Sequence, residues 1–515
     1  MKHKLGIAIF SILSGVCLYA VGCGGSGSGM GVLQPFPTST VHPTSTSTST
    51  PEPPPDPGNA DNFNIFKDSK SIFNPTRQVI CQGYTYAVQG FVAGGTGLDN
   101  QTVKYKLFRY NPDCSKLLPS KMEELEITVK DSSDHSSDLS LANPFWIDAR
   151  VDGGATEAID DDILYLAITD IGTKRCVYVA DMGKRSDGWT KGTARDVNAN
   201  NNTTCAVPLT CSLGDSLVYW VDYVEEGKVV AYSYKDIADK KSPTWCGTAI
   251  GGLSYPAVID AHGPWGAVSC QGDDKVCLFK MNDGESQKDL AGNYPLLTVG
   301  EDLAFIYAEE ASFISPFDLA WTLINDPKNH DQLTYFLAIT SGLTVEGYGP
   351  ASQPADKGAL WLFKDITAGE TNPSLEEVNK NSNNKYKLLL SGLQYPVSPT
   401  FPGSYDSGRK YIDIVFAQTG RANLPKSDAT PGSIEFVRYD PSKEKIDRNW
   451  TQTVLDDLVD PFSVYIETNK EQQLRQETGK DDITAVFYNY GWNYGTDTSE
   501  NSAFWAYIGY TPTKK

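Results

Sequence analysis

A six-residue string, Pro-x-x-Ile-Asp-Ala, occurs twice in the chain, at residues 144–149 and 256–261. It places Asp148 and Asp260 at matching points, and two residues beyond each stand Arg150 and His262. Two carboxylates are the minimum equipment for acid/base cleavage of a glycoside, and carboxylates near an imidazole also suit cation binding. The string has a plainer reading too: an Asp at a strand end accepts hydrogen bonds from the N–H groups of a turn.

Two further patterns could do chemistry. In residues 488–494 an aromatic stands at every second position, so that Tyr488, Tyr490, Trp492 and Tyr494 share one face if the segment is extended. Such a row suits stacking on sugar rings or a protein hot spot, although packing between sheets gives the same alternation. Asp196, Asn198 and Asn200 alternate as oxygen donors do at the start of a calcium loop. Asn201 stands where an EF-hand needs Gly and Val207 where it needs Glu, so a solvated turn competes with a calcium site. No other cofactor is indicated. Residues 62–515 contain no G-x-S-x-G, no H-E-x-x-H and no G-x-x-x-x-G-K-[ST], which removes the usual grounds for a hydrolase or NTPase.

The elements that must position these residues follow from an internal repeat. Seven prolines beside apolar or small residues, Pro75, Pro144, Pro208, Pro256, Pro316, Pro396 and Pro461, are spaced about 64 residues apart on average. Each is followed by two apolar runs rich in Val, Ile, Tyr, Phe and Trp and bounded by Gly, Asn and Asp, as strands are. Helical pattern is confined to 373–380 and 468–478. Three or four strands repeated seven times predict an all-β fold, a seven-bladed β-propeller, with six or eight blades as neighbouring solutions. The innermost strands would line a channel and carry Asp148 and Asp260. The other units hold Val79, Ser212, Ala320, Thr400 and Tyr465 at that offset, so the carboxylates form no ring. A unit of this length exceeds a compact blade of roughly 40 to 45 residues, which leaves long loops on the two faces.

Ahead of the repeats, Lys2 and Lys4 precede an apolar run from Leu5 to Val21, the charged head and hydrophobic body of an export signal. The run ends Leu18-Tyr19-Ala20-Val21-Gly22-Cys23, which resembles the lipobox of bacterial lipoproteins. That resemblance implies cleavage after Gly22 and lipidation of Cys23, and Gly24 in the following position implies delivery to the outer membrane or cell surface. Residues 1–22 are then a signal peptide, 23–61 a Gly/Ser and then Pro/Thr/Ser-rich tether with too few apolar residues to offset the entropy of ordering, and 62–515 the propeller.

Apart from Cys17 in the signal and Cys23 in the lipobox, eight of the ten Cys remain, and an even number in an exported chain reads as disulfides. Cys270 and Cys277 bracket a hairpin whose strands should bring them opposite each other, and Cys205 with Cys211 is a second candidate pair. The absence of any Cys-x-x-Cys argues against zinc. With 44 basic and 64 acidic residues the formal charge is −20, which argues against a nucleic-acid partner. The expectation is a lipid-anchored propeller, held to the membrane by Cys23, that binds an envelope or extracellular protein or polysaccharide through its face loops. The alternative is an extracellular carbohydrate-active enzyme using carboxylates in the propeller funnel.

Overall fold

The computed structural model describes the chain in segments between Asp61 and Ile508, chiefly strands and their shorter connections. The described strands form seven sheets, each an antiparallel meander of consecutive strands at its centre. We number these sheets as blades by their inner strands: Val79–Cys81, Pro144–Asp152, Pro208–Leu213, Pro256–His262, Pro316–Asn325, Pro396–Thr400 and Phe462–Thr468. Each inner strand lies beside the inner strand of the next blade, from blade 1 through blade 7. The last blade is completed from the other end of the chain. Asp61–Asn64 pairs antiparallel with Ala503–Ile508, the third strand of blade 7. A succession of sheets around an axis, with the two ends of the folded chain in one sheet, is a β-propeller.

Six of the seven prolines that mark the repeat stand at the start of an inner strand, and Pro75 lies outside the described residues. Pro144, Pro208, Pro256, Pro316 and Pro396 are each the first residue of their strand, and Pro461 immediately precedes the seventh. A strand start is where a residue without an N–H does least harm to a ladder. In blades 2 to 7 the pairing with the second strand then slips within four residues of the proline, a bulge near the start of each inner strand.

The third strand of a blade also feels the next proline. In blades 3, 5 and 6 it begins with a glycine, Gly227, Gly358 and Gly432. A Cβ at Gly227 or Gly358 would lie 2.5 Å from Cδ of Pro256 or Pro396, and one at Gly432 would collide with Pro461. Only a residue without a side chain allows the following blade to dock there.

Apolar residues on both faces of each sheet pack on the neighbouring blades, which is why the strands read as continuous apolar runs. Between blades 2 and 3, Tyr165, Ala167, Val177 and Val179 meet Leu213, Val218, Trp220 and Tyr232. Between blades 5 and 6, Phe336, Ala338 and Leu360 meet Ile412, Ile414 and Phe416. At about 1.5–3 kcal/mol for each large side chain buried, these seams supply the main drive to assemble the ring.

Blade 2 departs from the repeat. A hairpin of Glu126–Lys130 and Ser136–Asp138 lies between blades 1 and 2 in sequence, and its first strand adds in parallel to the outer strand Lys191–Asp196, giving six strands. Arg195, 2% exposed, locks this addition in place by donating to the carbonyls of Asp131 and Ile237 and to Asp134 Oδ1 at 2.9, 2.9 and 3.0 Å.

Several sequence expectations need adjustment. The first described strand starts at Asp61, and the expected boundary between residues 61 and 62 is adjoined by residues outside the described ones. The helical candidates 373–380 and 469–478 lie outside the described residues, and Thr468 ends an inner strand. Cys270 and Cys277 are not opposite each other: Cys270 faces Lys275 and Cys277 faces Val268, so the two are diagonal neighbours. Their sulfurs are 3.6 Å apart, in contact but unbonded. Cys211 is a buried thiol on the inner strand of blade 3, whereas Cys205 lies outside the described residues.

Candidate functional site

The inner strands carry the predicted carboxylates, and their surroundings are set by the bulge after each proline. A bulge leaves backbone groups without ladder partners, and buried groups of that kind are satisfied elsewhere. Hydroxyls of the second strand do this. Trp146 N–H donates to Thr169 Oγ1 at 3.0 Å, and the Thr169 hydroxyl donates onward to the Leu209 carbonyl of blade 3 at 2.9 Å. The same relay recurs two blades later, from Val258 N–H to Ser269 Oγ at 3.0 Å and from that hydroxyl to the Phe317 carbonyl of blade 5 at 2.7 Å. Between them, Thr210 Oγ1 donates to the Ala257 carbonyl at 2.9 Å and accepts from Ile259 N–H at 3.1 Å.

Asp148 and Asp260 serve the next layer of the same fastening. Asp148 Oδ2 accepts from Leu213 N–H of blade 3 at 2.8 Å, and Asp260 Oδ2 accepts from Trp321 N–H of blade 5 at 2.7 Å. Ser212, at the equivalent position of blade 3, accepts from Ala261 N–H of blade 4 at 3.1 Å. In each case the side chain four residues after the proline accepts the N–H five residues after the following proline. Blade 5 has Ala320 at that position, and there Asp318, two residues earlier, accepts from Ser398 N–H of blade 6 at 2.8 Å. Asp148 is 7% exposed, Asp318 4% and Asp260 0%, so these carboxylates point into blade junctions. These carboxylates are turned to backbone N–H groups of the next blade, an arrangement that engages their oxygens as hydrogen-bond acceptors.

Arg150 and His262 end up at equivalent places, two residues past the Asp, at the end of the inner strands away from the prolines. Arg150 is partly buried and His262 is exposed. The His262 ring meets Tyr335 edge-on at 6.0 Å between centroids, and Tyr335 meets Trp321 in the same manner at 6.3 Å. The Trp321 indole donates to the Asp260 carbonyl at 3.1 Å. His262 therefore sits on a rigid aromatic base joining blades 4 and 5. Burial raises the Tyr335 phenol above its ordinary pKa.

Strand registers place two long connections at this same end. Trp265, opposite His262, is also opposite Lys280, from which residues 281–303 lead to the outer strand. Leu333 is opposite both Asn325 and Ala368, from which residues 369–385 lead to the outer strand of blade 5.

The other candidates are placed as follows. Tyr488 and Tyr490 belong to the second strand of blade 7, paired in register with Trp505 and Ala503, while Trp492 and Tyr494 lie outside the described residues. Asp196 ends the outer strand of blade 2 opposite Tyr178, and Asn198 and Asn200 lie outside the described residues. Among the described residues no group of three or more His, Cys, Asp or Glu is arranged to hold a metal ion.

Sequence reasoning missed Ser212, Asp318, Thr169 and Ser269 as members of the fastening. It also missed a buried ion pair and a half-buried carboxylate of blade 6. Arg438 forms a two-pronged pair with Asp413 at 2.8 and 3.0 Å, flanked by the rings of Tyr411 and Phe436. Glu435 accepts from Ser433, Gln418 and Thr453 at 2.7, 3.2 and 3.0 Å, and its burial raises its pKa despite those bonds.

No family model matches the chain, and no curated protein matches it. Among solved structures it is similar to an α-L-arabinofuranosidase of Fusarium graminearum in complex with arabinobiose, at 10% identity and a TM-score of 0.42, over 87% of this chain and 97% of that one. It is also similar to Sqt1 from Chaetomium thermophilum, at 9% identity and a TM-score of 0.39, over 86% and 90% of the two chains. Likeness at this level carries no functional inference, and the fold assignment rests on the chain's own sheets.

Proposed function

We propose that this chain is an exported lipoprotein, anchored through Cys23, whose propeller binds an envelope or extracellular protein or polysaccharide with the end of the ring that bears His262 and Arg150. One observation carries the preference for binding over catalysis: Asp148 and Asp260, the carboxylates a funnel hydrolase would need, accept backbone N–H groups of the next blade. The long connections 281–303 and 369–385 leave from the His262 end, where a partner could be met by loops on a rigid frame. A free thiol at residue 23 in the mature protein, read by mass spectrometry, would remove the anchor from this reading.

The binding claim is tested with purified chain on a panel of immobilised polysaccharides and on intact envelope vesicles with and without prior protease treatment. The expected result is saturable binding that His262→Ala with Arg150→Ala weakens at least tenfold while the melting temperature stays within a few degrees. Retention on vesicles that protease abolishes identifies a protein partner, and retention on a glycan identifies a polysaccharide. Steady release of reducing sugar that Asp260→Asn abolishes would contradict the reading and favour the hydrolase.

A further inference from the structure

Cys270 and Cys277 are both 0% exposed, on the second and third strands of blade 4, and their sulfurs are 3.6 Å apart. The 3-10 turn Gln271–Asp273 joins the two strands, so the pair closes a short hairpin within one blade. Diagonal partners on an antiparallel pair normally lie about 7–8 Å apart, beyond the roughly 4.4–6.8 Å Cα span of a relaxed disulfide. The two side chains nevertheless bring their sulfurs into contact across this diagonal. Closing from 3.6 Å to bonding distance takes about 1.5 Å more.

We infer that blade 4 carries an oxidation site in which Cys270 and Cys277 join as a disulfide, through exchange with an external disulfide. The thiolate of one cysteine attacks a sulfur of the external disulfide, forming a mixed disulfide and releasing one external thiol. The second cysteine, as thiolate, then attacks the bonded protein sulfur, forms the Cys270–Cys277 bond and expels the other external thiol. Two protein thiols are oxidised, one external disulfide is reduced to two thiols, and the two protons leave with those thiols. Complete burial requires the exchange to precede docking of blade 4 on its neighbours, and afterwards shields the bond from reductants. In the cell this step rests on the export reading, because an oxidising compartment must supply the external disulfide.

The test uses full-length chain refolded in a buffer of reduced and oxidised glutathione, then denatured with iodoacetamide and cut with trypsin and an aspartate-specific protease. These cuts separate Cys246 from Cys270 and leave Cys270 in residues 260–272 and Cys277 in residues 276–280. The expected product is these two peptides linked, two hydrogens lighter than their sum and free of alkylation. Alkylation of both cysteines, or a link from either to a different cysteine, would overturn the inference. Reductant present during refolding should lower the melting temperature of the parent by more than that of the double variant Cys270→Ser with Cys277→Ser, and equal shifts would count against the bond. The same digest on protein extracted from its native envelope separates the two claims: alkylated cysteines there, with linked peptides after refolding, would sink the export reading and leave the oxidation site standing.

Discussion

At the scale of single residues, the chemistry of the inner strands is that of acceptors for stranded backbone donors. Replacing Asp260 by Ala would leave the buried Trp321 N–H without its acceptor and should cost about 2–3 kcal/mol in urea unfolding, while Asn, which keeps a carbonyl oxygen there, should lose clearly less. Equal losses for Ala and Asn would mean that the negative charge matters rather than the hydrogen bond. Glu435 gives a pH-dependent counterpart. Its folded pKa is raised, so between the ordinary value of 4.5 and the raised one the unfolded chain releases a proton that the folded chain keeps. The unfolded state is favoured by that release, and the stability cost grows as pH rises through this window and then stays constant. Glu435→Gln should therefore gain on the parent between pH 4 and pH 7 in paired urea melts, and a difference independent of pH would show that Glu435 ionises normally. The sequence made Asp148 and Asp260 visible because their hexapeptide recurs, but it hid Ser212 and Asp318. A search for carboxylates passes over Ser212, although an N–H needs only an oxygen, and Asp318 lies two residues before the repeated position and serves a different N–H, that of Ser398.

At the scale of elements, the unit of construction is a proline that opens an inner strand, a bulge behind it, and a glycine on the preceding blade that makes room for it. Gly358→Ala tests that unit, because its Cβ would press on Pro396 and on the Leu393 carbonyl. A loss of about 1–3 kcal/mol is expected in chemical denaturation, and an unchanged midpoint would show that the junction between blades 5 and 6 is loose. Inner, second and third strands were legible because burial on both faces demands apolar β-formers, and the predicted runs coincide with them in every blade. The outer strands were not. Lys121–Glu124 and Gln452–Leu458 carry mixed polar sequence, and their strand conformation comes from pairing with a neighbour already in place. The added hairpin on blade 2 escaped notice for the same reason, since what seats it is Arg195, some sixty residues away in sequence.

At the scale of the whole molecule, the strand Asp61–Asn64 completes the last blade, pairing with Ala503–Ile508 from the far end of the sequence. Asp61–Asn64 had no signature of its own: four residues, three of them Asp or Asn, become a strand only because Ala503–Ile508 offers an open edge. Ring closure by this strand is the claim on which the channel, the blade junctions and the proposed binding face all depend. It is tested most directly by Asn62→Cys combined with Tyr507→Cys, two positions opposed in the register, in full-length chain refolded in glutathione buffer and digested for mass spectrometry. The account predicts an intrachain peptide linking residues 62 and 507; recovery of both cysteines alkylated, in protein that still melts cooperatively, would contradict it.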